Sequence, residues 1–198
     1  MSSLFDEKGK NVPCTVLELG PCVVTQVKTI DNDGYEAVQL GFDDKPDKKV
    51  NKSISGHFNK AKVDPKKKLA EFKMNFEEDL KLGDTITVEH FKEGEFVDIS
   101  AISKGKGFQG VYRKYNFGGL PQSHGSMMHR RTGSIGAGST PGRVWKNTKM
   151  PGRMGGKKVT VQNLKVIQSR PEDNVLLISG TVPGAKGGYV IIRPAIKK

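Results

Sequence analysis

The chain has 198 residues with 33 basic and 21 acidic side chains, a formal net charge of +12. That balance favours a polyanionic partner, nucleic acid or an acidic membrane surface. Its 24 glycines exceed the usual share of about 7%, so part of the chain is built for backbone geometry, while no apolar run of about 18 residues and no apolar N-terminal signal core points to membrane insertion or secretion.

Residues 12–28, "VPCTVLELGPCVVTQVK", are rich in β-branched side chains around Gly20 and Pro21 and predict two strands joined by a turn. Cys14 and Cys22 lie in this apolar stretch without CxxC spacing, which reads as two small hydrophobes in a reducing, cytosolic setting. "GYEAVQLGF", residues 34–42, follows a turn at Asp31, Asn32, Asp33 and Gly34 as a third strand. A short helix capped by Ser53 is expected over residues 53–61. Over residues 66–76, Phe72, Met74 and Phe76 alternate as a strand requires. "DTITVEHF" and "EFVDISAIS" predict a hairpin around Lys92, Glu93, Gly94 and Glu95. "KVTVQNLKVIQS", "NVLLISGTV" and "GYVIIRPAI" complete the strand-rich set. Many short strands separated by turn signals imply a mainly β fold, a sandwich or a small closed barrel, with the barrel favoured because closure removes exposed edges.

Residues 104–158 break this pattern. They contain Lys104, Lys106, Arg113, Lys114, Arg130, Arg131, Arg143, Lys146, Lys149, Arg153, Lys157 and Lys158, twelve basic residues against no Asp or Glu. The remainder of the chain therefore holds 33 − 12 = 21 basic and 21 acidic residues and is formally neutral. A long stretch of this kind between strands is expected to be an extension that serves function, and without a polyanion it is expected to be mobile.

Two glycine motifs in the segment raise nucleotide chemistry. "GKGFQG", residues 105–110, has dinucleotide-turn spacing, but two glycines and a proline follow where a helix is needed, and no acidic residue appears until Glu172. "GSIGAGST", residues 133–140, has phosphate-loop spacing with Ser139 in place of the lysine that reaches the β and γ phosphates. His124 and His129 lack a nearby carboxylate to orient a base or complete a metal site. They are read instead as hydrogen-bonding groups for phosphate or 2′-hydroxyl, and His57 and His90 as structural. No catalytic residue, metal, cofactor or small-molecule substrate is expected. Phe108, Tyr112, Tyr115, Phe117 and Trp145 interleave with the cations. Phe108 is expected to anchor the end of the barrel, and Trp145, between Arg143 and Lys146 in spacing, to stack on an unpaired base.

Four stretches, "FDEKGKNVPCTVLELGPCVVTQVKT", "SKGKGFQGVYRKYNF", "SHGSMMHRRTGSIGAGSTPGRVWKNTKMPGRMGGKKVTVQNLKV" and "LLISGTVPGAKGGYVIIRPA", together resemble the ribosomal protein L three family of the bacterial large subunit, in order and over nearly the whole chain. The resemblance implies a translation-protein-type closed β-barrel formed by residues 1–103 and 159–198, with a small α+β insertion at about 43–80. It implies a long extended basic loop at 104–158 that penetrates 23S-type rRNA toward the peptidyl transferase centre. The loop tip would be Ser134, Ile135, Gly136, Ala137, Gly138, Ser139, Thr140, Pro141 and Gly142. It further implies binding near the 3′ end of the large-subunit rRNA, a part in nucleating assembly, and ribosomal proteins L fourteen and L nineteen as neighbours. Family members begin with a short basic segment before "FDE", whereas only Met1 to Leu4 precede Phe5 here, which suggests a truncated or internally numbered start. The methylated glutamine of some members has no counterpart at Ala137, Gly138 and Ser139. Two competing readings are a general cationic architectural protein that binds DNA, and a nucleotide-dependent enzyme or nuclease.

Overall fold

The computed structural model describes residues 2–5, 8–73 and 80–197. In chain order the strands are β1 (Ser2–Phe5), β2 (Asn11–Glu18), β3 (Cys22–Lys28), β4 (Ala37–Asp44), β5 (Lys66–Lys73), β6 (Thr85–Ile86), β7 (Phe96–Ile102), β8 (Phe108–Gln109), β9 (Gly152–Arg153), β10 (Lys158–Arg170), β11 (Val175–Ser179) and β12 (Val190–Pro194). The helices are α1 (Ile30–Asp33), α2 (Lys52–Ala61) and α3 (Val111–Tyr115). The fold is mainly β, as expected.

The described strands do not close into one barrel. They form a six-stranded sheet in the order β1-β2-β11-β10-β7-β12, a four-stranded sheet in the order β5-β4-β3-β6, and a two-stranded ribbon, β8-β9. The chain changes sheet at Gly20: β2 pairs with β1 and β11, whereas β3 pairs with β4 and β6. Gly20 has φ +87, and a Cβ there would lie 3.3 Å from the Ile86 carbonyl oxygen. A side chain would therefore be both strained and crowded where β6 meets β3. The outer strand β5 carries Lys66, Lys67, Lys68 and Lys73, charges that discourage another chain from pairing with its free edge.

The hairpin expected around residues 92–95 is absent. Thr85 and Ile86 pair with Val23 and Cys22 of β3, and Val88 is buried in a 3-10 turn, Val88–His90, which ends the alternation. The amide of Gly94 donates instead to the Val166 carbonyl at 3.0 Å, and the Val166 amide to the Glu95 carbonyl at 2.8 Å. Helix α2 begins at Lys52 with Asn51 as its N-cap, not Ser53, and Lys62 closes it in a left-handed conformation. Of the alternating set 72–76, Phe72 lies in β5, while Met74 and Phe76 fall outside the described residues. Strand β1 had no counterpart among the sequence expectations.

The chain divides into two compact units. The first comprises Met1–Asp98, Gln162–Thr181 and Pro194–Lys198. Among the described residues it holds twelve of the fifteen buried apolar side chains, including Cys14, Val24, Phe58, Val97, Leu176 and Ile178. Both cysteines are free, and burial pushes the Cys22 thiol upward, as suits an unreactive position. Asp98, nearly buried, accepts the Asn163 amide at 2.9 Å and so supports the left-handed turn at Asn163, φ +58. A polar network fastens α2 to the four-stranded sheet. His57 Nε2 lies 2.8 Å from Gln39 Oε1, which also accepts from Thr25 Oγ1 at 2.9 Å.

Candidate nucleic-acid interface

The second unit comprises Ile99–Val161 and Val182–Arg193, and the acid-free segment makes up most of it. Only Ile99, Ala101 and Val111 are buried apolar residues there, among those described. The unit is therefore organised by backbone ties more than by a core. The two arms of the segment are zipped at their base: Ser103 N donates to Lys157 O at 2.9 Å, Gly156 N to Ser103 O at 3.1 Å, Lys106 N to Met154 O at 2.9 Å, and Met154 N to Gly107 O at 2.9 Å. The β8-β9 ribbon extends this pairing, with Phe108 opposite Arg153 and Gln109 opposite Gly152. Gly155 has φ +73, and a Cβ there would run into the Lys104 carbonyl, so the arms approach this closely only because a glycine lies between them.

These ties place Lys104, Lys106, Arg153, Lys157 and Lys158 along the paired base. Arg113 and Lys114 occupy the last turn of α3, a short helix where the sequence suggested none. It spans five residues and stops at Asn116 in a left-handed conformation. Farther out, Leu120 N donates to His129 O at 3.1 Å. The His129 ring places Nδ1 3.0 Å from the Pro121 carbonyl, and since a carbonyl only accepts, Nδ1 carries the proton in this contact. His124 sits in an exposed turn with φ +59.

Aromatic rings hold several of the cations. The Arg130 guanidinium carbon lies 4.0 Å from the centroid of Tyr112, and that of Arg143 lies 5.0 Å from Trp145. Lys114 and Lys149 stand 5.1 and 5.8 Å from Tyr115, and Tyr115 in turn meets Phe117 at 6.3 Å. Trp145 is nevertheless 61% exposed. Phe108 is 77% exposed and anchors nothing, because the ribbon it belongs to has only two strands and no layer covers that ring. Arg131 and Lys146 are exposed.

Ser134, Ile135, Gly136, Ala137, Gly138, Ser139, Thr140, Pro141 and Gly142, expected from the sequence as a loop tip, are all exposed. Ser134 Oγ donates to Gly136 O at 3.1 Å, and Gly142 N to Gly138 O at 3.2 Å. No helix follows Thr140, so the glycines do not lead into the helix N-terminus that a nucleotide phosphate loop uses. A shallow recess of about 400 Å³ nearby is lined by residues that include Val111, Met128, Arg130, Arg131, Ile135 and Pro151. The sequence singled out its arginines. Val111, Met128 and Pro151 carried no chemical signal, because the fold alone brings α3 beside the two returning arms.

The electrostatics divide along the same line. The ion pairs Lys28 to Glu71 at 2.8 Å, Lys66 to Asp44 at 2.5 Å and Lys67 to Asp43 at 2.9 Å all belong to the four-stranded sheet and its flanking residues. Among the described residues, no ion pair includes a basic side chain of 104–158. Twelve cations in one segment without a carboxylate among them repel where they approach, and a bound polyanion relieves that repulsion.

Residues 67–176 match the family described as ribosomal protein L3. The large ribosomal subunit protein uL3 of Akkermansia muciniphila is 54% identical over 200 residues, covering 100% of this chain and 95% of that protein. The chain belongs to the ribosomal protein L3 family. The large ribosomal subunit protein uL3 of Acidothermus cellulolyticus is 52% identical over 198 residues, covering 100% of this chain and 89% of that protein. The stretch matched to ribosomal protein L3 contains every basic residue of 104–158, the tip and the recess. Ribosomal protein L3 is a structural, non-enzymatic family, which sets aside the competing reading of a nucleotide-dependent enzyme or nuclease. Among the described residues, no helix is long and apolar enough to cross a membrane, and no group of three or more His, Cys, Asp or Glu side chains is placed to hold a metal ion.

Proposed function

We propose that this chain is a structural constituent of the large ribosomal subunit in the cytoplasm that binds 23S-type rRNA near its 3′ end and helps nucleate assembly. Residues 104–158 act as a long basic loop within folded rRNA, with Ser134 to Gly142 as its end nearest the peptidyl transferase centre. Ribosomal proteins L14 and L19 are its neighbours. Its influence on peptide-bond formation is indirect, through the rRNA it supports.

The observation that carries this reading is the segregation of charge: twelve cations, no carboxylate and no internal ion pair in one stretch, beside a remainder that is formally neutral. Phosphates supply the missing partners, Arg meeting them through its planar fork and Lys as a point charge. The exposed Trp145 and Tyr112 add ring faces on which unpaired bases stack.

The test is footprinting of 23S-type rRNA by the full chain and by a chain in which residues 110–150 are replaced with a short Gly-Ser turn. Both should protect peripheral sites, and only the full chain should protect sites around the peptidyl transferase centre. Equal affinity for duplex DNA at matched salt would replace this reading with that of a general cationic architectural protein.

A further inference from the structure

We propose that the recess between α3 and the returning arms of the loop receives a single unstacked nucleobase of the large-subunit rRNA, with Arg131 meeting an adjoining phosphate. The inference rests on the rRNA-binding reading above and names a site within that interface. The recess, at about 400 Å³, falls in the range of roughly 300–1,000 Å³ typical of small-molecule sites. Its apolar lining comes from Val111, which is buried, from Met128 and Ile135, which are 45% and 48% exposed, and from Pro151. Apolar side chains left half open next to arginines suit a flat ring with polar edges.

The arginines give the recess its selectivity. Arg130 is held at 4.0 Å over Tyr112, so one face of its guanidinium is covered and the group is oriented before any ligand arrives. Its N–H edge remains a donor for base or phosphate oxygens. No Asp or Glu occurs anywhere in 104–158, so no internal carboxylate competes for either arginine. A protein partner fits poorly, because a stable interface buries about 800 Å² per partner and this apolar opening is a handful of side chains wide. A base in a helix is out of reach, since its ring is stacked, whereas bases in loops and bulges can be splayed into such a recess.

The experiment uses the full chain bound to 23S-type rRNA, with base-specific chemical probing at single-nucleotide resolution and titration over a range of salt. Ile135→Trp and Met128→Trp each fill the recess without touching a charge, and both positions are exposed enough to leave the fold intact. With either variant, one base protected by the unmodified chain should become reactive while the other protections persist. Affinity should fall between about 5-fold and 150-fold, the range that one base stack supplies, with the salt slope unchanged. Ile30→Trp, at an exposed position of α1 in the first unit, should behave as the unmodified chain. Arg131→Ala should retain the base protection and reduce the magnitude of the salt slope by about one phosphate's worth, roughly 0.7 to 0.9. Unaltered base reactivity and affinity in both Trp variants, with the wider footprint intact, would overturn the recess alone. Binding of free AMP, GMP, CMP or UMP at the recess with no single-base change in the rRNA would overturn the polymer as its source. Failure of the unmodified chain to footprint this rRNA at all would overturn the function reading and the recess with it.

Discussion

At the scale of single residues, Trp145 separates what folding requires from what binding requires. A cation held near an exposed ring contributes about 0.5–1 kcal/mol, so the Arg143 contact at 5.0 Å does little to compensate for an indole left 61% exposed. In the rRNA-binding reading proposed above, that open ring is a face on which an unpaired base stacks. Trp145→Ala is expected to weaken rRNA binding by about 1–3 kcal/mol, the range for one stacked base, and to leave the thermal midpoint unchanged. Trp145→Phe should restore most of the affinity. Trp145 is the chain's one tryptophan, so quenching of its fluorescence on addition of rRNA reads the stack directly, and an unquenched signal at saturation would exclude it.

At the scale of elements, the four-stranded sheet secures its strands with charge pairs that the loop lacks. Lys28 Nζ lies 2.8 Å from Glu71 Oε1, and Tyr35 OH donates to Glu71 Oε2 at 2.9 Å. The Lys28 hydrogen bond, then the Tyr35 hydrogen bond, hold the Glu71 carboxyl below its ordinary value, while the Glu71 and Tyr35 contacts raise Lys28 above its own. A carboxyl lowered in the folded state stabilises above its unfolded value of about 4.3 and ceases to as pH falls through the folded value. A lysine raised in the folded state stabilises below about 10.4 and ceases to as pH rises through its folded value. The difference in thermal midpoint between the unmodified chain and Glu71→Gln should therefore be constant from about pH 5 to pH 9, and should shrink toward zero in acid. Glu71 is exposed, so solvent screens the pair and the plateau is expected to be small; a difference that grows in acid would refute the pairing. Periodicity made β2, β3, β4, β10, β11 and β12 legible in the sequence, because each alternates or buries a continuous apolar run against a neighbour. It could not reveal that β6 would be spent on β3 and not on a hairpin with β7, since pairing partners are chosen by long-range interactions that leave no local pattern. Nor could it reveal the ribbon β8-β9, whose two-residue strands are fixed by Gly155 and the arm-to-arm hydrogen bonds. The cations of the candidate interface were legible from charge alone; the apolar lining of the recess was not, because Val111, Met128 and Pro151 are ordinary residues until the fold assembles them.

At the scale of the whole molecule, the decisive property is that a formally neutral remainder carries a segment holding the full net charge of +12. Fifteen buried apolar side chains are described, and only three lie in the unit that contains the loop. Stability and affinity therefore draw on different residues and should be separable by substitution. Arg130, Arg131, Arg143 and Arg153 are all exposed and lie outside every ion pair described. Replacing the four with Ala takes away guanidinium groups for up to four phosphates and the ring contacts of Arg130 with Tyr112 and of Arg143 with Trp145, but no buried side chain. Each phosphate left without its arginine lowers the magnitude of the log–log salt slope by about 0.7 to 0.9, so the variant should show a slope smaller by roughly three units on 23S-type rRNA. Its affinity should converge on that of the unmodified chain as salt rises, since the interaction removed is the one that salt screens. Surface substitutions away from core and caps cost within about 0.5 kcal/mol each, and here they also relieve repulsion, so the denaturant midpoint should hold or rise slightly. A slope that stays steep would place the electrostatic footprint on the sheets; a collapsed midpoint would show that the loop's cations support the fold itself, which no ion pair described here would explain.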